Sequence, residues 1–298
     1  MKGIILAGGT GSRVFPSTKV VSKQLLPVYD KPTIYYPLST LIKLGIKDVM
    51  VITNATSLSP LMSLFQQSNE WGYDNKPYLG INFTFKVQTS PKGIAEALII
   101  AEEWQGLDDV CLILGDNIFT GIEPFTEDTV GCGAHVVGYR VSNPRDYGVI
   151  ETGIAQPHNR KVVKSIEEKP EDPKSNIAAT GIYFYDNTAG TRARDLTPSS
   201  RGELEITDLN KSYLNTNSLC YRELDSNYAW FDTGNPDDLF AASMYVKSIQ
   251  DRTQTMIGCI EGEAYKQGFI THEEFIKIKD DMPSCSYKTN MVMSYCLD

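Results

Sequence analysis

An apolar run, Gly3 to Ala7, leads directly into Gly8-Gly9-Thr10-Gly11-Ser12-Arg13, and Ser22-Lys23-Gln24-Leu25-Leu26-Pro27 follows shortly after. A glycine-rich turn lets backbone N–H groups approach an anion, because glycine has no Cβ in the way and tolerates φ > 0. Arg13 adds a permanently charged fork matched to phosphate oxygens, and Lys23 a compact second cation. The chemistry this suits is the binding of a nucleoside polyphosphate. The turn is not a P-loop, since no lysine directly follows one of its glycines. A dinucleotide fingerprint begun at Gly9 would need its third glycine at Val14, which argues against hydride transfer on a nicotinamide. On the glycines alone an ordinary strand-to-helix turn stays open, and Arg13 with Lys23 weighs against it.

Carboxylates stand in two similar settings. Asp116 follows the apolar run Val110–Leu114, and Asp232 follows the aromatic pair Trp230-Phe231 ahead of Thr233-Gly234. Two such aspartates, distant in sequence, suit one Mg²⁺ that completes its octahedron with water and phosphate oxygens. Read singly, Asp116 is equally a turn residue bonding its own backbone, and Asp232 is more often a turn or helix-capping residue than a ligand. Glu167-Glu168-Lys169-Pro170 closes an alternating segment, where a bend before the proline would bring both Glu168 and Lys169 to one side. A solvated charge run is the alternative. Arg201-Gly202-Glu203-Leu204-Glu205 reads as the start of a helix, whose dipole accounts for the acids and leaves Arg201 without a role. His135, His158 and His272 show no triad spacing.

The elements that must position these residues alternate in the first half. Gly3–Ala7 and Asp48–Thr53 read as strands, Thr33–Leu44 as a helix ended by Gly45, and a further helix is expected around Leu58–Gln67. Alternation from Ile81 to Val87, a helix from Ile94 to Trp104 and the strand Val110–Leu114 follow. Fully apolar short runs fit parallel strands covered on both faces, and ligands of such sheets bind beyond the carboxyl ends of the strands. After Ala134–Arg140 the pattern turns to strand-like segments, Val149–Glu151, Val162–Glu167 and Gly181–Tyr185, as in a mixed sheet or hairpin lobe. Arg201–Asn215 and Asp237–Gln250 look helical, and the stretch from Gln254 is helical in part.

The 298 residues carry a net charge of −9 without a long basic run, which leaves nucleic acid no electrostatic footprint. No stretch approaches a membrane span. The six cysteines show no C-x-x-C and no short Cys/His cluster for zinc, and the expectation is a reduced, cytoplasmic, soluble chain.

Taken in order, the segments named above, together with Leu114-Gly115-Asp116-Asn117, Tyr147-Gly148-Val149 and Thr180-Gly181-Ile182-Tyr183, resemble the sugar-1-phosphate nucleotidylyltransferases over residues 1 to about 250. The resemblance implies a mixed, mostly parallel α/β sheet of nucleotide-binding, GT-A-like topology with an inserted sugar-binding lobe. It places a catalytic domain over 1–250, its nucleotide half at about 1–130 and its sugar lobe at about 131–236, with 251–298 as an appendage that could serve as an oligomer contact. It implies Mg²⁺, a donor that is dTTP or UTP, glucose 1-phosphate as acceptor, and a homo-oligomer, dimer or tetramer.

Carried over by position, Gly8, Gly11, Ser12 and Arg13 would bind the triphosphate, with Gln88 and Gly93 reading the base. Arg13, Lys23, Asp116, Lys169 and Asp232 would be catalytic, and Asp116 and Asp232 the metal ligands. Asn117, Tyr147, Gly148, Glu168, Lys169, Ala179 and Arg201 would bind the sugar phosphate. Ser12 stands where the family has threonine and Ala179 where it has valine. The stretch Ser68–Gly80 looks longer, and the tail after Lys279 shorter and dissimilar. A UTP-preferring enzyme and a non-catalytic subunit that binds nucleotide sugars are the alternatives. The second would be expected to have lost Arg13 or a metal aspartate.

Overall fold

A computed structural model describes residues 1–66, 77–120, 132–155 and 160–295, so most of the long Ser68–Gly80 stretch, His158 and Cys296 lie outside the described residues. The N-terminal apolar run forms β1 (Lys2–Ala7), followed by the short strands β2 (Pro27–Val28) and β3 (Lys31–Pro32). Helix α1 (Tyr35–Lys43) buries Leu38, Leu41 and Ile42 and stops ahead of Gly45, whose φ of 74° is the left-handed conformation that ends helices. Then come β4 (Asp48–Thr53), α2 (Ala55–Gln66), β5 (Asn82–Val87), α3 (Glu96–Gln105), β6 (Val110–Leu114) and β7 (Asn117–Thr120).

The middle of the chain holds β8 (Ala134–Arg140), β9 (Gly148–Ala155), β10 (Arg160–Glu168), β11 (Ile177–Tyr185), α4 (Ala189–Arg194), α5 (Ile206–Asn215) and β12 (Leu219–Glu223). The remainder is β13 (Ala229–Asp232), α6 (Pro236–Thr253), α7 (Ile260–Lys266), α8 (His272–Asp281) and α9 (Ser286–Tyr295). Helix α6 starts with Pro236 behind Asn235, whose side chain accepts from the Asp238 N–H at 2.9 Å, and α8 starts with a Thr271/Glu274 capping box. The helix expected from Arg201 begins only at Ile206. Residues 201–205 stay out of it: Gly202 turns at φ 74°, the Leu204 N–H donates to Lys92 O at 2.7 Å, and the Arg201 side chain donates to Glu205.

The chain divides into two compact units, each assembled from separated segments. The first comprises Met1–Leu6, Ser90–Ile113 and Phe125–Tyr228, and the second Ala7–Thr89, Leu114–Pro124 and Ala229–Asp298. In the first unit the strands run β10-β9-β11-β6-β1, with β8 joined to β11 and to β12. The β9–β10, β11–β6 and β11–β8 pairs are antiparallel, whereas β12 runs parallel to β8. A mixed sheet is thus built where the sequence pattern ceased to alternate with helices. Val110, Cys111, Leu112 and Ile113 are fully buried, as covered central strands require.

In the second unit β4 and β5 pair in parallel from Asp48↔Asn82 to Thr53↔Val87, and β7 pairs antiparallel with β13. Val28, Tyr36, Ile118, Ala242 and Val246 form a core cluster, each side chain of this size contributing about 1.5–3 kcal/mol on burial. The C-terminal stretch is part of this unit: Cys259, Ile260 and Ala264 are fully buried. Gly258, at φ 75°, passes so close to Tyr36 that a Cβ would lie 2.7 Å from its ring. Among the described residues no helix is long and apolar enough to cross a membrane.

Candidate active site

The second unit gathers four of the five residues read as catalytic, Arg13, Lys23, Asp116 and Asp232, around the glycine turn, while Lys169 belongs to the first. Gly9 and Gly11 hold φ of 88° and 63°, and Arg13 lies in the single helical turn that follows, with an exposed side chain. A second turn, Lys23–Leu25, stitches the site together. Gln24 Nε2 donates to Gly8 O at 3.2 Å, while Lys23 Nζ makes an ion pair with Asp116 Oδ2. The neighbouring strand end does the same, since Asn54 Nδ2 donates to Gly9 O at 3.2 Å and Thr53 Oγ1 to Ala7 O at 2.9 Å.

Asp116 immediately precedes β7 and Asp232 ends β13, the two strands of one antiparallel ribbon. Asp232 is in register with Asn117, and Thr233 donates both its N–H and its hydroxyl to Asp116 O, at 3.0 and 2.7 Å. Gly234 is held between the charges, because a Cβ there would meet Arg13 Nη2 at 3.0 Å and Asp232 Oδ1 at 3.1 Å. Burial, and next the Asp116 carboxylate, push the Asp232 carboxyl up to about 6, against the pull of Lys23 and Arg13. Two neighbouring carboxylates in a partly dry setting that resist sharing negative charge are the donor set a hard divalent cation requires. Gln88 is also in this unit, buried, its N–H donating to Thr53 O at 2.8 Å.

The first unit holds a cavity of about 530 Å³ lined by Glu168, Lys169, Ser199, Arg201 and Glu205, among others. That volume is in the range of small-molecule sites. The bend expected before Pro170 exists. Lys169 adopts φ 43°, uncommon for a non-glycine residue, and its N–H donates to Tyr147 O at 3.0 Å. Both Glu168 and Lys169 therefore reach the cavity. Gly148 lies against the same group, since a Cβ on it would come 3.0 Å from Thr207 Oγ1, 3.4 Å from Glu168 Oε2 and 3.7 Å from Ala179 Cβ. Arg201 Nη2 donates to both Glu205 oxygens at 2.9 Å and lies 3.6 Å from Glu168 and from Glu203. Burial works against its charge, yet the acids Glu205, Glu203 and Glu168 outweigh it and hold the guanidinium protonated more firmly than usual.

The nucleotidyl transferase family model matches residues 2–249. The chain is 45% identical over 292 residues to a glucose-1-phosphate thymidylyltransferase of Neisseria meningitidis serogroup A, covering 96% of each, and 41% identical over 281 residues to one of Mycobacterium tuberculosis H37Rv, covering 93% of each. The chain belongs to the nucleotidyl transferase family. Its fold is that of a Bacillus anthracis protein solved in complex with sucrose, 41% identical with a TM-score of 0.72 over 82% of this chain and 94% of that one. UDP-glucose pyrophosphorylase complexed with UDP-glucose, at 22% identity, has the same fold, with a TM-score of 0.70 over 83% of this chain and 98% of that one.

In this nucleotidyl transferase some residues that the motifs had grouped belong to different units. Asn117, grouped with the sugar contacts, lies in the second unit, buried, with its Nδ2 donating to Asp116 Oδ1 at 3.1 Å and its Oδ1 accepting from Trp230 Nε1 at 2.6 Å. Gly93, grouped with Gln88, belongs to the first unit. At φ 101° a Cβ there would fall 2.3 Å from Leu204 O, so close backbone approach requires a glycine at this position.

Two residues of the cavity group went unread. Thr207 donates its hydroxyl to Glu168 Oε2 at 2.6 Å, and Glu205 pins Arg201. The signal for Glu205 was its place four residues after an arginine, and that acid had been credited to the helix dipole instead. The cysteine reading also needs correction: Cys132 and Cys220 are joined as a disulfide, and His135 stands with them. The disulfide was not visible because its partners are 88 residues apart, whereas the Cys132-x-x-His135 spacing stood in the sequence and was passed over.

Proposed function

We propose that this nucleotidyl transferase moves a thymidylyl group from dTTP to α-D-glucose 1-phosphate, giving dTDP-glucose and pyrophosphate. The observation that carries this is the grouping of Arg13, Lys23, Asp116 and Asp232 about the glycine turn, in a chain 45% identical to a protein named for that activity. The second unit is assigned the triphosphate and the first the sugar phosphate.

A phosphate oxygen of the acceptor attacks the α-phosphorus in line and pyrophosphate leaves on the far side, with no covalent enzyme intermediate. Both reactants are anions, so repulsion is the first obstacle. Lys23 neutralises phosphate charge on the donor and Arg13 stabilises the charge that grows on the leaving pyrophosphate. Lys169 and Arg201 do the same for the sugar phosphate, with Arg201 presented by Glu205. Glu168, held by Thr207, accepts from sugar hydroxyls beside Gly148, Ala179 and the Tyr147 backbone. Gly8, Gly11 and Ser12 offer the triphosphate their N–H groups, and Gln88 together with Gly93 is assigned the base.

Asp116 and Asp232 would hold a divalent cation, here proposed to be Mg²⁺, which supplies charge neutralisation at the phosphates when bound. A phosphate is a competent nucleophile near neutral pH, so no histidine base is required. A cytoplasmic homo-oligomer, dimer or tetramer, is the accompanying proposal, checked by sedimentation.

Pyrophosphate release with Mg²⁺, a panel of nucleoside triphosphates and a panel of sugar 1-phosphates tests the assignment. Turnover greatest with dTTP and glucose 1-phosphate is expected. Absence of turnover with every pair rejects it. Preference for UTP would reassign the donor, a distinction that rests on one methyl group worth about 1–3 kcal/mol in a fitted pocket.

A further inference from the structure

Cys132, His135 and Cys220 have no part in the proposed reaction. Cys220 on β12 is the register partner of His135 on β8, so both side chains stand on one face of the parallel pair. Cys132 precedes His135 by the two-residue spacing Cys-x-x-His, and one sulfur or ring-nitrogen atom from each of the three lies within 4.8 Å of the others. His135 is buried and both cysteines are half-buried. The Cα atoms of Cys132 and Cys220 are 6.0 Å apart, and the disulfide joins positions 88 residues distant.

A disulfide needs two of these groups, and the third is what a metal site adds. We propose that, with its thiols reduced, the chain binds a thiophilic divalent cation of the Zn²⁺ type through Cys132, His135 and Cys220. With Zn–S of about 2.3 Å and Zn–N of about 2.0–2.1 Å, tetrahedral ligands sit roughly 3.3–3.8 Å from one another, so the observed grouping needs only side-chain adjustment. Two thiolates cancel the 2+ charge and the imidazole stays neutral, which makes partial burial of the ion inexpensive. Three protein ligands leave the fourth position to water.

The exchange between the two forms balances. A dithiol or phosphine reductant gives two electrons to the S–S bond and is itself oxidised, and each sulfur takes up a proton. Binding of Zn²⁺ then releases both thiol protons to solvent. Either closure ties together the ends of the segment that carries Tyr147, Gly148, Glu168, Lys169, Ala179 and Arg201. The ion and the disulfide are alternative clamps on one lobe.

The test uses the whole chain, reduced with a phosphine, stripped with a chelator and titrated with Co²⁺ in excess Mg²⁺ to occupy carboxylate sites. One Co²⁺ per chain with a thiolate-to-cobalt charge-transfer band is expected, displaced by Zn²⁺. Cys220→Ser should abolish the band, and His135→Asn should weaken binding by at least about tenfold. Cys285→Ser, at an exposed free cysteine, should leave it unchanged. No band in the fully reduced wild-type chain, or an equal affinity in His135→Asn, overturns the proposal and leaves a plain disulfide.

Discussion

The two charged centres of this molecule are balanced in opposite ways. Around Arg201, three carboxylates surround one guanidinium, so the cation is held in place by the protein itself. Around Asp232 it is the carboxylate that lacks compensation. Lys23 is already paired with Asp116, and Arg13 does not offset the burial of Asp232 and its neighbour. The charge of the first centre is balanced within the chain, whereas in the second the Asp232 carboxyl is pushed up to about 6 by its burial and by Asp116. That imbalance supports the divalent cation proposed for Asp116 and Asp232.

Removing a carboxylate from the unbalanced centre is the strongest way to break this contrast. Asp232→Asn should lower kcat by about 10³-fold, corresponding to roughly 4 kcal/mol of transition-state stabilisation. The same change should stabilise the metal-free fold by about 1–3 kcal/mol at pH 8, because the folded carboxyl binds its proton more tightly than the unfolded one. That cost is fully present above pH 6 and fades as pH falls from about 6 towards the ordinary aspartate range, so melts of the two proteins should converge near pH 4. A loss of stability at pH 8 would mean that Asp232 is held by partners and not by repulsion. Arg13→Ala, at an exposed side chain, should cost about 10²–10³-fold in kcat with an unchanged melting temperature.

Proton competition sharpens the comparison next. Apparent Mg²⁺ affinity, followed by calorimetry, should be flat above pH 7 and fall by about tenfold per unit below about 6, as the Asp232 carboxyl takes up its proton. Binding of the sugar phosphate through the ever-charged Arg201 has no such break from that residue. At the balanced centre, Glu205→Gln should raise KM for glucose 1-phosphate by about tenfold with little change in kcat, since Arg201 loses the carboxylate that aims it. A fall in KM would instead show Glu205 competing with the phosphate.

What the sequence made readable follows the same division. Asp48–Thr53 and Val110–Leu114 were expected as strands residue for residue, because each carries the short apolar run of a covered strand. The pairing of Asp116 with Asp232 was foreseen from two strand-end aspartates, a local pattern repeated. Glu205 and Thr207 were missed because their work is done on other side chains, Arg201 and Glu168, across a loop whose path no periodicity encodes. The helix start was misplaced by five residues for the same reason, since Arg201–Glu205 looks like a charged first turn and is a salt-bridged loop. Cys220 and His135 became neighbours only through the parallel register of β8 with β12.

The smallest expected effect lies in the sugar cavity. Gly148 and Ala179 put two small residues side by side beneath Glu168, with Ala179 Cβ 3.7 Å from where a Cβ on Gly148 would be. Ala179 is half-buried, so its side chain is not enclosed and an added branch can be taken up beside Gly148. Ala179→Val should therefore change KM for glucose 1-phosphate by less than about threefold, under 1 kcal/mol. An acceptor bearing a bulky group at carbon 2 should lose about tenfold in kcat/KM if that group uses the space. Equal losses for both acceptors would show that residue 179 shapes the strand and not the sugar, and the selectivity of the first unit would then rest on its charges alone.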